Sequence, residues 1–216
     1  MNLPNYITLT RIFAVPVLIW VLSSSWFEGP HGERELLASA IFIAASITDG
    51  IDGYLARRRG QITAMGMLLD PLADKLLIAA AFVTLVQFNP RIVPAWIAVV
   101  VIGREFLVSG LRSIAAAQGF TIEASDLGKF KMVVQIVVVA AAILERRWHE
   151  WDLGLFFFPL SVIAKVGMWF MVTLSLVSAI DYFAAFWSKI DRQVTRRQRR
   201  RAFVLSRRRK SNVLPT

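Results

Sequence analysis

The chain has 216 residues, 56% of them apolar, a formal charge of +10 and no cysteine. The lack of cysteine excludes a disulfide framework and a thiolate metal site. A mean hydropathy of +0.55, with apolar residues in long blocks, points away from a soluble domain, in which polar and apolar positions are more evenly mixed.

A bilayer-spanning helix takes about 20 mainly apolar residues. The chain offers six such stretches, at approximately 7–26, 36–56, 67–87, 92–111, 130–145 and 155–184. The first has no basic region before it, and Ser23-Ser24-Ser25-Trp26 gives no small-x-small cleavage site, so it reads as a mature membrane segment rather than a signal peptide. The second and third carry carboxylates within them or at their ends, and the fifth is short. Lys165 lies in the sixth, where it pairs with an acid or snorkels. Asp181, near the inner end of that span, caps it or faces water, whereas Glu145, Glu150 and Asp152 fall outside and read as topological.

Past the last span, residues 189–210 hold eleven Lys/Arg against the single acid Asp191, and the rest of the chain is nearly neutral, with 14 basic residues and 14 acids. Residues 188–216 are therefore expected to be a disordered basic tail held on anionic lipid, each Lys/Arg near such a surface contributing about 1 kcal/mol. Nucleic-acid binding is not expected, because among those charges Phe203 is the only aromatic residue. The fold class expected is an all-α integral membrane bundle of six helices over 1–187, followed by the tail.

The connections near 27–35, 88–91 and 146–154 carry four basic residues, Arg34, Arg91, Arg146 and Arg147. The other side carries eight without the tail: Arg11, Arg57, Arg58, Arg59, Arg104, Arg112, Lys129 and Lys131. The positive-inside rule then places both termini in the cytoplasm. Trp26, Trp148 and Trp151 sit near the opposite helix ends, as an interfacial aromatic belt does.

The informative segment is Asp49-Gly50-Ile51-Asp52-Gly53-Tyr54-Leu55-Ala56-Arg57, then eight residues, then Gly66, Asp70 and Asp74 at steps of four. On a helix, Asp49, Asp52, Gly53, Ala56 and Arg57 share a face, because residues three or four apart are neighbours. Gly66, Asp70 and Asp74 form a second stripe. An antiparallel helix pair can present four carboxylates to one point. Each charge at mid-bilayer costs about 2.5–3.5 kcal/mol even on the lenient insertion scale, and acids that close cannot all stay ionised unpaired. A divalent cation suits them, because hard Mg²⁺ or Mn²⁺ prefers oxygen and is readily shared with phosphates. His31 and His149 belong to the outer connections, which disfavours zinc. Gly53 and Ala56 clear bulk from the carboxylate face, and Arg57 offers a planar donor to phosphate. Pro71 either opens its helix, with Asp70 as cap, or kinks it. The bland alternative has four helix-end carboxylates facing water, paired with Arg57, Arg58, Arg59 and Lys75. It leaves the interleaved glycine and alanine without a reason.

The pattern D-G-x-D-G-x-x-A-R, eight residues, G-x-x-x-D-x-x-x-D resembles the signature of the CDP-alcohol phosphatidyltransferase family. Its eight defining positions are Asp49, Asp52, Gly53, Ala56, Arg57, Gly66, Asp70 and Asp74. The resemblance implies a dimeric six-helix bundle of the bacterial inner membrane with its site at the cytoplasmic boundary. It implies two divalent ions, Mg²⁺ or Mn²⁺, on Asp49, Asp52, Asp70 and Asp74, with Asp74 also the general base. It implies that Gly53, Ala56, Arg57 and Thr63, with Asn5 and Thr8, receive CDP-diacylglycerol.

Outside the motif, three segments look like members that use glycerol 3-phosphate as acceptor: Met1-Asn2-Leu3-Pro4-Asn5 to Thr8-x-x-Arg11, Arg104-Glu105-Phe106-Leu107-Val108-Ser109-Gly110-Leu111-Arg112, and Gly128-Lys129-Phe130-Lys131. Met132, where a threonine commonly follows, is a departure. An acceptor that is a phosphate monoester needs a cationic pocket, which Arg104, Arg112, Lys129 and Lys131 can form from the same side as the aspartates. Arg104 and Glu105 can instead be an internal ion pair. Inositol phosphate fits the cluster too, and phosphatidylglycerol is a further acceptor within the family. A cation transporter is the alternative of another class, but its inverted repeats are not evident and it leaves Gly53, Ala56 and Arg57 without a role.

Overall fold

The computed structural model describes the backbone of residues 3–59, 64–120, 126–148, 151–152 and 157–211, and the side chains of 9–48, 72–73, 75–120, 130–148 and 159–190. Its long elements are α1 (Leu3–Ser23), α2 (Glu33–Arg59), α3 (Ala64–Phe88), α4 (Ala95–Ala117), α5 (Asp126–Glu145) and α6 (Leu160–Ser211). A 3₁₀ turn at Ser25–Phe27 follows α1, and β1 (Trp151–Asp152) pairs antiparallel with β2 (Phe157–Phe158) ahead of α6. Among the described residues the fold is thus all-helical but for that two-residue ladder.

Among the described residues six long helices stand where six apolar stretches lie, with shifted bounds. Helix α3 begins at Ala64, so Pro71 lies within it and Asp70 is not its cap. Helix α6 continues through Ser211, across the boundary at 187/188 where composition changes. At 1.5 Å per residue its 52 residues extend about 78 Å. Among the described residues one helix, Leu160–Ile190, is by itself long and apolar enough to cross a bilayer, with a mean hydropathy of 1.9; Leu9–Ser23 and Lys75–Phe88 are shorter apolar helices.

Helix α1 packs on both α2 and α3, α5 lies along α6, α4 touches α3 and α6, and α2 touches α5. The core they enclose includes Leu18, Phe42, Phe82, Leu85, Val93, Ile143, Met168 and Met171. Gly167 lets α5 and α6 close, since a Cβ there would lie 2.7 Å from Val138 Cγ2. Helix α4 ends in a Schellman arrangement: Phe120 N–H donates to Ala115 O at 3.1 Å and Gly119 N–H to Ala116 O at 3.0 Å. Gly119 supplies the required positive φ of 79°. The Phe120 ring then packs on Phe186 of α6, 6.0 Å between centroids.

The end formed by the start of α2 and the ends of α3 and α5 is tied by polar groups. Asn89 Nδ2 donates to Glu145 Oε2 at 2.8 Å and to Ala142 O at 3.1 Å. Arg34 pairs with Glu35 at 3.2 Å and Glu28 at 3.1 Å. The Arg34 and Arg146 guanidiniums stand 4.9 and 4.2 Å from the Phe88 ring centroid. Glu145, read from the sequence as a topological loop acid, is in fact buried and hydrogen-bonded. It is the last residue of α5, and the Asn89 turn folds over it. Asn89→Ala removes a donor from a buried carboxylate and should cost about 1–3 kcal/mol. Thermal unfolding in detergent should show a midpoint several degrees lower; an unchanged midpoint would count against this tie.

Candidate functional site

Short connections make consecutive helices antiparallel, so the end of α2, the start of α3, the end of α4 and the start of α5 gather at one end of the bundle. Asp49 and Asp52 lie on the last turns of α2, and Asp70 and Asp74 on the first turns of α3. Four residues, 60–63, join the two helices, which brings both acidic stretches to the same end. The side chains of Asn5, Thr8, Asp49, Asp52, Ala56, Arg57, Asp70, Asp74 and Lys129 lie outside the described residues, as do those around Gly53; Thr63 lies outside them altogether. Among the described residues no three His, Cys, Asp or Glu side chains cluster as a metal site.

The described half of this end is cationic and built on α4, α5 and α6. Arg104 projects from α4 with its side chain 8% exposed, and every nitrogen of its guanidinium is engaged. Nε donates to Ser175 O at 3.3 Å, Nη1 to Glu105 Oε1 at 3.0 Å and Nη2 to Ser178 Oγ at 2.7 Å. Lys131 from α5, buried as well, pairs with the same Glu105 Oε1. Arg112, two turns nearer the end of α4, donates from Nη2 to Tyr182 Oη at 2.5 Å and stacks 5.1 Å above that ring. Three helices are therefore held together through one carboxylate and two cations. A buried charge is tolerated only when paired and hydrogen-bonded in this way.

Of the four cations expected to hold an acceptor phosphate, Arg104 and Lys131 meet on one carboxylate and Arg112 rests on Tyr182. The Arg104–Glu105 ion pair, one of the two sequence readings of that dipeptide, forms. Lys165 and Asp181 are both exposed on α6. The sequence reading passed over Gln135, Ser175, Ser178 and Tyr182. Their signal was available: Lys131 and Gln135 are four apart on α5, and Ser175, Ser178 and Tyr182 fall at i, i+3 and i+7 on α6, a polar stripe in an apolar helix.

Residues 1–186 match the family model for CDP-alcohol phosphatidyltransferase. The chain is 41% identical over 196 residues to the CDP-diacylglycerol–glycerol-3-phosphate 3-phosphatidyltransferase of Bacillus subtilis, covering 88% of this chain and 97% of that one. It is 33% identical over 184 residues to the enzyme of the same name from Rickettsia bellii, covering 85% and 94%. In fold it is similar to the phosphatidylinositol phosphate synthase of Mycobacterium tuberculosis. The crystal structure with manganese and citrate gives a TM-score of 0.59 at 19% identity, over 84% of this chain and 82% of that one. The structure with CDP-DAG bound gives 0.58 at 18% identity, over 86% and 87%.

Arg104→Lys keeps the charge but loses the fork that reaches α6 at two points. It should destabilise the protein by about 1–3 kcal/mol, and Arg112→Lys, at an exposed position, by less. Unfolding midpoints of the two variants measured side by side check this, and equal shifts would contradict it.

Proposed function

We propose that this chain, which belongs to the CDP-alcohol phosphatidyltransferase family, transfers the phosphatidyl group of CDP-diacylglycerol to glycerol 3-phosphate, giving phosphatidylglycerophosphate and CMP. The observation that carries the reading is the likeness, over nearly their whole length, to relatives named for that reaction. The cationic cluster of α4 and α5 supports it, since the acceptor is itself a phosphate monoester.

Asp49, Asp52, Asp70 and Asp74 offer an all-oxygen donor set, on two helix segments that meet at one end, in a chain without cysteine. Such a set fits two hard divalent cations, Mg²⁺ or Mn²⁺, and the manganese held by the M. tuberculosis neighbour is in keeping with it. When bound, the cations supply charge neutralisation for the pyrophosphate. The chain's own groups do the rest. Gly53 and Ala56 leave room for the nucleotide, and Arg57, Thr63, Asn5 and Thr8 donate to the CDP moiety. Lys131, Lys129, Arg112 and Arg104 draw the acceptor phosphate toward the acids. Asp74 takes the proton of the acceptor hydroxyl, whose oxygen bonds to the phosphorus bearing diacylglycerol. The bond from that phosphorus to CMP breaks, and CMP leaves with the electron pair.

A lipid donor and a water-soluble acceptor meet at a membrane surface. The reading therefore includes six spans in a bacterial inner membrane, both termini and the site on the cytoplasmic side, and a homodimer. It also includes contact of the basic segment beyond residue 188 with anionic lipid. Inositol phosphate, a phosphate monoester as well, is the second acceptor to test, because the fold neighbours are synthases named for it.

The assay is CMP release from CDP-diacylglycerol by purified protein in detergent with Mg²⁺ or Mn²⁺, acceptors added singly. Glycerol 3-phosphate should drive release; release with inositol phosphate alone would select the second reading. Asp74→Asn should abolish turnover while nucleotide binding persists, and a wild-type rate would remove Asp74 from the role of base.

A further inference from the structure

Among the described residues, Gln135 of α5 and Ser175 of α6 each bury a polar side-chain group, Nε2 and Oγ, that makes no hydrogen bond. Gln135 is 4% exposed and Ser175 0%. Buried groups of this kind are ordinarily paired, and leaving them unpaired is costly. The contrast within the bundle is sharp. Ser46, Thr48, Thr84, Ser109 and Thr173 each donate back to a carbonyl four residues earlier in their own helix. The Ser175 hydroxyl makes no such bond.

Both groups border the ion cluster. Ser175 O accepts from Arg104 Nε, and Gln135 stands one helical turn from Lys131 on the same face of α5. Helices α5 and α6 run antiparallel with Val138 against Gly167. Counting outward from that contact sets Lys131 level with residue 174 and Gln135 level with residue 170. Ser175 thus lies beside Lys131, and Gln135 five residues, roughly 7.5 Å, deeper than Ser175. Helices α3 and α5 end together, where Asn89 meets Glu145 and Arg146 meets Phe88 O, and α3 is 25 residues long against 20 for α5, so Asp74 stands at about the level of Lys131. The unpaired hydroxyl therefore sits at the level of the cations and of the expected base, and the unpaired amide lies just deeper.

A neutral donor and a hydroxyl beside cations suit a ligand that carries an alcohol next to its phosphate. We propose that Gln135 and Ser175 bind the hydroxyl of the acceptor that does not react, and so make the site selective for a phosphorylated polyol over a simple hydroxyalkyl phosphate. This rests on the acceptor reading above. A site built to hydrogen-bond a hydroxyl rejects the analogue that lacks it, because its own polar groups are then left unpaired.

The test compares glycerol 3-phosphate with propane-1,3-diol monophosphate, which lacks only the middle hydroxyl, in the CMP-release assay with the full chain. Wild-type protein should prefer glycerol 3-phosphate by about tenfold or more in kcat/KM. Ser175→Ala and Gln135→Met should slow the glycerol 3-phosphate reaction selectively, so that the preference falls toward one while the KM for CDP-diacylglycerol holds. Equal slowing with both acceptors, as a packing role or a buried water predicts, would overturn the inference, and so would an unchanged preference. If Gln135→Met does not fold, the preference of Ser175→Ala, which removes one oxygen, decides. Wild-type protein that releases no CMP with glycerol 3-phosphate would overturn the acceptor reading and this inference together. Release with an unmoved preference would overturn the inference alone.

Discussion

The Glu105 carboxylate, shared between Arg104 and Lys131, is the interaction on which the arrangement of α4, α5 and α6 depends. In an apolar bundle an unpaired charge is far costlier than at a surface, so each of these three groups requires the others. Arg104 extends the tie through Ser178 Oγ and the Ser175 carbonyl, which fixes the rotation of α6 about its axis. The opposite end repeats the principle with different groups: Asn89 on Glu145, Arg34 on Glu35, and two guanidiniums over Phe88. Polar ties pin both ends, and the apolar core between them needs only to pack.

This division shapes the functional end. Helices α2 and α3 bring acids to it, and α4 and α5 bring cations. The proposed reaction uses that pairing: carboxylates to hold divalent ions for the donor, and basic groups to hold the acceptor phosphate next to it. Arg104 is engaged on every nitrogen of its guanidinium. Arg112, half in solvent and resting on Tyr182, is the more available donor.

Much of the fold was legible because long apolar blocks separated by polar turns translate directly into helices. The family was legible because the aspartate motif is fixed in both residue type and spacing over the stretch from Asp49 to Asp74. Hydropathy reads how apolar a segment is and not which face it buries. That is why Glu145, an acid at a helix end, reads as merely topological although the Asn89 turn covers it. It is also why Gln135 and Ser175 passed as incidental polar residues in apolar helices. The change to basic composition after residue 187 suggested disorder, yet basic residues are good helix formers and α6 continues through them to Ser211. The Arg104–Glu105 pair was foreseeable as one of two options, and only the approach of Lys131 and α6 decided between them.

The central claim is that the acids of α2 and α3 act as one cation site. The direct test is equilibrium binding of Mn²⁺ to the purified full-length chain in the presence of CDP-diacylglycerol, with the free ion read by electron paramagnetic resonance. Two ions per chain are expected for the wild type, with at least one lost in Asp49→Asn and in Asp70→Asn. No bound ion in the wild type, or full stoichiometry in both variants, would contradict it.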